Sequence, residues 1–270
     1  MLPGLVGLPV AYELAILFLL GLFLGSFFSV VTTRLPEGGS IVYPGSRCPA
    51  CGAPIRWYDN IPLLSFVLLG GRCRSCRRPI PLFYPLIELT TALTLGLTWY
   101  FAWRMGWGLI QALVVVLIAA LLLLIAVIDQ RTMLIPDHLS FPLVLVALLF
   151  GLSPLNPLFP PTVHWQNLLW GLGAGAVIFV ISALGAMGQG DALLALAMGF
   201  LLGPHILVAM FLALMGGGLV ALGLFLYLRM SRRPTRGAKM AFGPWLCLAT
   251  WVALFFAPPL EEWYLTSFLG

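Results

Sequence analysis

The sequence predicts an all-α integral membrane protein with about eight transmembrane helices and a zinc-binding cytoplasmic loop domain between the first and second. Three observations predict it. Of 270 residues, 61% are hydrophobic and only 9% are charged, and a soluble domain of that size cannot cover so much apolar surface. The apolar residues gather into eight runs, at about 10–31, 83–103, 107–128, 138–153, 167–187, 191–202, 206–229 and 242–258. The 14 lysines and arginines cluster in a few of the intervening stretches. The net charge of +5 therefore reads as membrane topology rather than affinity for nucleic acid.

The chain divides into three parts: a first transmembrane segment at 1–31, a loop domain at 32–82, and a transmembrane bundle at 83–270. The first run is followed by Thr32-Thr33-Arg34 rather than by a small-residue cleavage site, so it reads as a retained anchor. A helix needs roughly 17–25 apolar residues to span unaided, and the fourth and sixth runs fall short of that.

Charge resolves the orientation. With the N-terminus outside, the first inner loop carries Arg34, Arg47, Arg56, Arg72, Arg74, Arg77 and Arg78, and the next carries Arg131. The last inner loop carries Arg229, Arg232, Arg233, Arg236 and Lys239, and Arg104 alone lies outside. The C-terminal tail, with Glu261 and Glu262, is then outside too. If the short sixth run did not span, the Arg229–Lys239 cluster would be thrown outside, so it is expected to cross, tilted or helped by neighbouring helices. Glycines through 171–190 and at 216–218 suit helices packed at close range.

The polar stretch 32–82 holds Cys48-Pro49-Ala50-Cys51-Gly52 and Cys73-Arg74-Ser75-Cys76. Two such knuckles suit a four-thiolate zinc site with a structural role, because a short loop cannot build much core of its own. Gly52 permits the sharp turn after the first knuckle. A reducing cytoplasm disfavours disulfides. The surrounding arginines favour thiolate and, beside a membrane, anionic lipid as partner rather than nucleic acid. Cys247, in the last run, reads as an inert core residue.

Carboxylates within or at the edge of membrane segments are costly, so each calls for an account. Glu13 is expected to be solvated near the outer end of the first segment. Glu88 is expected to be structural, snorkelling or pairing with a loop arginine. Asp137 reads as the N-cap of the fourth segment, beside His138. Asp129 ends the third run, and Asp191 follows Gly188-Gln189-Gly190 at the start of the sixth. The topology brings both to the cytoplasmic side at one depth. Two close carboxylates share a proton, so that one activates water while the other polarises a peptide carbonyl, which is aspartic-protease chemistry. Gly188 and Gly190 give the backbone freedom and a substrate strand room. The spacing suits equally two aspartates that each end a helix at the interface.

Beyond these readings, the chain resembles the type IV prepilin peptidases over almost its whole length. The landmarks run in family order: Gly25-Ser26-Phe27 with Arg34-Leu35-Pro36, the two knuckles flanking Trp57-Tyr58-Asp59-Asn60-Ile61-Pro62-Leu63-Leu64-Ser65, Tyr84-Pro85 with Glu88, Asp129 with Ile135-Pro136-Asp137, Gly188-Gln189-Gly190-Asp191, and Phe242-Gly243-Pro244. The resemblance implies Asp129 and Asp191 as catalytic residues and Cys48, Cys51, Cys73 and Cys76 as zinc ligands. It implies a bacterial inner-membrane enzyme that cuts the leader of prepilins or pseudopilins after a glycine, on the cytoplasmic side. It also implies N-methylation of the new terminus by S-adenosylmethionine, although no glycine-rich fingerprint for that donor is present, so its site would be built by the zinc loop and nearby helices. The sequence departs from the family at Leu193, where a lysine is usual, at Ser29, where asparagine is common, and at Ala241, where proline is common. Two other readings stand beside this one: a leader peptidase without methylation, and a zinc-stabilised scaffold or transporter without chemistry.

Overall fold

The computed structural model describes residues 4–159, 162, 164–185, 187–231 and 240–268. Arg232, Arg233, Arg236 and Lys239 of the last basic cluster lie outside the described residues, as does Gly270. The regular elements of the described chain are all helices, and isolated β-bridges join Arg47 to Pro54 and Arg72 to Pro79. Each of the eight apolar runs coincides with a helix of 14 residues or more. Among the described residues, five stretches are long and apolar enough to cross a membrane.

The first compact unit spans Met1–Val116. Its frame is a helical hairpin of α1 (Val10–Arg34) and α3 (Phe83–Arg104), which pack side by side. Gly21 and Gly25, one turn apart on α1, set the approach. A Cβ at Gly21 would lie 2.5 Å from Ala92 Cα, and one at Gly25 would lie 2.6 Å from Glu88 Cα. α3 is less apolar than the other long helices because it carries four threonines between 90 and 98. The hydroxyls of Thr90, Thr91 and Thr98 turn back to carbonyls one turn earlier, which satisfies them inside an apolar helix.

Glu13 corrects the expectation of a solvated carboxylate. It is buried, and it accepts the N–H groups of Leu5 and Val6 and the indole N–H of Trp99 on α3. Three donors replace the water that burial removes. The loop between α1 and α3 contains the short helix α2 (Leu64–Leu68) and the two knuckles.

α4 (Leu109–Thr132) begins in the first unit and ends in the second, which spans Leu117–Gly270. There α7 (Gln189–Leu202) is the central helix, packed by α5 (Asp137–Leu152), α6 (Gln166–Ala183) and α9 (Gly243–Phe268). Ten of its 14 residues are buried. Fourteen residues rise only about 21 Å, short of a ~30 Å hydrocarbon core. Enclosure by protein explains how so short a helix is tolerated, since its ends need not match lipid.

Small residues bring the neighbours close. A Cβ at Gly199 would lie 2.5 Å from Gly171 Cα on α6, and one at Gly151 on α5 would collide with the Phe200 carbonyl oxygen. At the C-terminal end of α7, Asn156 donates to the Leu201 carbonyl, and Asn167 donates to that of Gly151. α8 (Ile206–Met230) buries only the stripe Ile206, Ala209, Ala213 and Gly217 and leaves the rest to an apolar surrounding. α9 runs on through Pro258 and Pro259 to Phe268, so Glu261 and Glu262 continue a helix instead of forming a tail.

Candidate active site and metal centre

Asp129 lies in the last turn of α4. The helix stops three residues later, where Met133 adopts a left-handed φ of 54° and its N–H returns to the Asp129 carbonyl at 2.8 Å. Asp129 is buried, and its Oδ2 accepts the N–H of Gly243, the first residue of α9, at 2.9 Å. A Cβ at Gly243 would lie 2.6 Å from that same oxygen, so only glycine lets the backbone come this near.

Asp191 is the third residue of α7. Its Oδ2 turns back to accept the Gly188 N–H at 3.1 Å, which satisfies one of the donors orphaned at a helix start. The Gly188 carbonyl accepts from the Ser182 hydroxyl at 2.8 Å. Asp191 therefore does cap its helix, as the plainer reading of the sequence allowed, but through one oxygen. Asp129 is likewise held through one.

Ile135 ties the two ends together. Its side chain fills the space where a Cβ at Gly190 would sit, 2.5 Å from Ile135 Cβ, and Ile135 Cδ1 lies 3.3 Å from the corresponding point at Gly243. The room left by Gly190 is thus taken by Ile135, not left for a substrate strand. The two carboxylates are near enough to act electrostatically on one another, and both act on Cys247, one turn into α9. Cys247 is buried. Leu193, Ser29 and Ala241 touch none of this hydrogen bonding, and the Ser29 hydroxyl donates to the Ser26 carbonyl. Asp137 is corrected from cap to first helical residue: Pro136 holds the cap position and the Asp137 side chain makes no capping bond. Its charge still suits the positive end of α5.

Neither the Gly243 N–H nor Ile135 was found as a working part by sequence reasoning. Both lie inside stretches that carry the family resemblance, but a backbone donor and an aliphatic wedge have no residue-type signature.

The metal centre lies in the first unit. The two knuckles are built alike, 25 residues apart. Cys48 N–H donates to the Ala53 carbonyl and Cys73 N–H to that of Arg78; Gly52 and Arg77 close the turns onto Cys48 and Cys73. Bridges Arg47–Pro54 and Arg72–Pro79 flank them. Gly52 takes φ 70°, and Arg77 takes φ 59° at the equivalent place.

The four sulfurs lie within 4.8 Å of one another, with Cys48 Sγ and Cys76 Sγ 3.9 Å apart. A tetrahedron of Zn–S bonds of about 2.3 Å places sulfurs about 3.8 Å apart, so the donor set fits zinc. The N–H groups of Ala50 and Cys51 hold the Cys48 thiol down at about 7. At Cys51 the Ala53 N–H also lowers the thiol, but Cys76 and Cys48 outweigh it and push it up to about 11. Crowded thiolates of this kind need a cation to share. Beside the knuckles, Arg74 pairs with Asp59 at 2.6 Å and lies with Arg56 over the Tyr58 ring.

Among the described residues, Glu88 does not pair with an arginine. Buried on α3, it accepts the Leu63 N–H at 2.8 Å and the Ser26 hydroxyl. Leu63 holds a left-handed φ of 56°.

Comparison with known proteins points to one family. Residues 19–102 match the family model for the Bacterial Peptidase A24 N-terminal domain, and residues 115–226 match that for the Type IV leader peptidase family. The chain is 35% identical to the prepilin leader peptidase/N-methyltransferase of Aeromonas hydrophila, covering 97% of each chain. It is 33% identical to the proteins of the same name from Pseudomonas aeruginosa, over 95% of this chain and 94% of that one, and Bacillus subtilis, over 95% and 100%. No solved structure matches. With 33–35% identity across essentially the full length of these relatives, the chain belongs to the type IV leader peptidase family.

Proposed function

We propose that this protein cleaves the leader of type IV prepilins or pseudopilins and N-methylates the new terminus. The observation that carries the reading is the arrangement of Asp129 and Asp191. Each is buried and fixed by a single backbone N–H, and they lie within electrostatic reach of one another. Fixing through Oδ2 keeps one oxygen of each carboxylate for chemistry. The ionised aspartate takes a proton from water as the water oxygen attacks the scissile carbonyl carbon. The protonated aspartate donates to the carbonyl oxygen. Collapse of the tetrahedral intermediate breaks the C–N bond, and a proton passes to the leaving amine.

Cys48, Cys51, Cys73 and Cys76 would hold a structural zinc that supplies folding energy to a loop with little core. S-adenosylmethionine, when bound, supplies an electrophilic methyl group, whose C–S bond breaks with the pair left on sulfur as an amine nitrogen gains the carbon and loses a proton. The intact two-knuckle loop supports the methylating form of the family over a simple peptidase.

The reading places the protein in the bacterial inner membrane with eight crossings, both termini outside and the loop at 32–82 in the cytoplasm. The bundle at 83–270 carries the aspartates. Prepilins approach from the cytoplasmic side, where the arginines also meet anionic lipid. Mass spectrometry of a prepilin incubated with the purified protein, with and without S-adenosylmethionine, tests it. Leader loss plus one methyl is the expected product. Leader loss alone would leave a peptidase, and an intact prepilin would return the scaffold reading.

A further inference from the structure

The first unit contains a cavity of about 340 Å³ between the end of α1, the start of α3 and the zinc loop. That lies within the range of about 300–1,000 Å³ typical of small-molecule sites. Glu88 lines it, together with Ser26, Ser29 and the zinc-ligand positions Cys48 and Cys73.

The charge at Glu88 is unbalanced. A buried carboxylate is normally paired, and several arginines share this cavity. Yet Arg74 is taken by Asp59, and Arg34 donates to the carbonyls of Ser40 and Pro44. Among the described residues, Glu88 has only two donors, both neutral: Leu63 N–H and the Ser26 hydroxyl. One of them depends on a left-handed leucine, a conformation that costs energy and collects at working sites. The loop is therefore held in strain against a carboxylate that still lacks a countercharge.

We propose that this cavity is the S-adenosylmethionine site, with Glu88 holding the cationic sulfonium end of the donor. The inference rests on the methyltransferase half of the proposed function and gives that half a place. The donor carries a permanent positive charge for Glu88, an adenine for the apolar walls at Ile55 and Ile61, and a carboxylate that suits Arg47 or Arg78, all of which line the cavity. Because Cys48 and Cys73 form part of the wall, a zinc held by the four cysteines would shape the donor site without touching the reaction.

The test is calorimetric titration of the zinc-loaded full chain with S-adenosylmethionine and with its neutral thioether product, S-adenosylhomocysteine. The wild-type protein is expected to prefer the sulfonium. Glu88→Gln keeps an oxygen for the Leu63 N–H but removes the charge. It is expected to lose about tenfold or more in affinity for S-adenosylmethionine and to bind the thioether within about twofold of wild type. Ser46→Trp, from the cavity wall, is expected to abolish binding of both, and its zinc content and thermal unfolding report on the fold. Unchanged sulfonium affinity in Glu88→Gln, or unchanged binding in Ser46→Trp, would place the donor elsewhere. A wild-type protein that binds neither compound would overturn the methyltransferase reading itself, whatever the variants do.

Discussion

The backbone N–H of Gly243 donates to Oδ2 of Asp129 at 2.9 Å, joining the start of α9 to the end of α4 across 114 residues of sequence. This bond does for Asp129 what the Gly188 N–H does for Asp191. In each case one backbone donor locks one carboxylate oxygen, and a rigidly held group is worth more to a reaction than a mobile one.

Gly243→Ala tests the first lock. The added methyl would stand 2.6 Å from Asp129 Oδ2, so the carboxylate must turn away. The expected result is a folded protein with leader cleavage reduced by about 10²-fold, the scale on which small misplacements of a reacting group act. Cleavage at wild-type rate would show that the bond is incidental.

Gly190→Val tests the wedge. Its side chain would drive into Ile135, which packs at Gly190 and also reaches Gly243. Both aspartate-bearing helix ends should shift, costing cleavage and about 1–3 kcal/mol of stability through overpacking. Pairing it with Ile135→Ala should restore part of the activity, because the smaller neighbour makes room. A double variant no better than the single one would remove Ile135 from the account.

Asp129→Asn and Asp191→Asn separate chemistry from architecture. Each asparagine keeps an oxygen that can accept the N–H of Gly243 or Gly188, so the fold should persist. Neither can exchange a proton with water or the scissile carbonyl. Leader cleavage should fall at least about 10²-fold in each single variant, read by mass spectrometry of the prepilin product. Retained cleavage in either one sinks the dyad.

Much of this was legible in the sequence, because membrane helices are written in composition. The eight runs match eight helices, and the two Cys-x-x-Cys pairs meet as a single cluster. What escaped was tertiary. Glu13 reads as solvated because nothing local says that Trp99, 86 residues away, turns its indole N–H toward it. Asp137 reads as a cap because the residue type suits one, yet Pro136 occupies that place. The short sixth run is different: the sequence expects help from neighbouring helices, and α7 is wrapped by them.

Glu13→Ala should destabilise the first unit. It leaves the N–H groups of Leu5, Val6 and Trp99 without their shared acceptor, at a cost of about 2–4 kcal/mol when buried donors go unmet. Glu13→Gln keeps an acceptor oxygen and should lose less. Thermal unfolding of both variants in the same detergent decides the matter. Equal midpoints for alanine and wild type would mean that water replaces the carboxylate.

The knuckles offer a paired experiment at one backbone geometry. Gly52 and Arg77 follow the second cysteine of each knuckle with φ of 70° and 59°. A Cβ at Gly52 would meet nothing within 4 Å, so Gly52→Ala adds left-handed backbone strain and no collision. It should cost about 1–2 kcal/mol, read as a tenfold or so loss in zinc affinity. Arg77→Gly removes the same strain and should tighten zinc by a similar step, less the entropy that glycine returns to the unfolded chain. Opposite signs at two equivalent positions would tie zinc affinity to the turn itself. If both substitutions weaken zinc, the Arg77 side chain matters more than its backbone, and the likeness of the two knuckles ends at their hydrogen bonds.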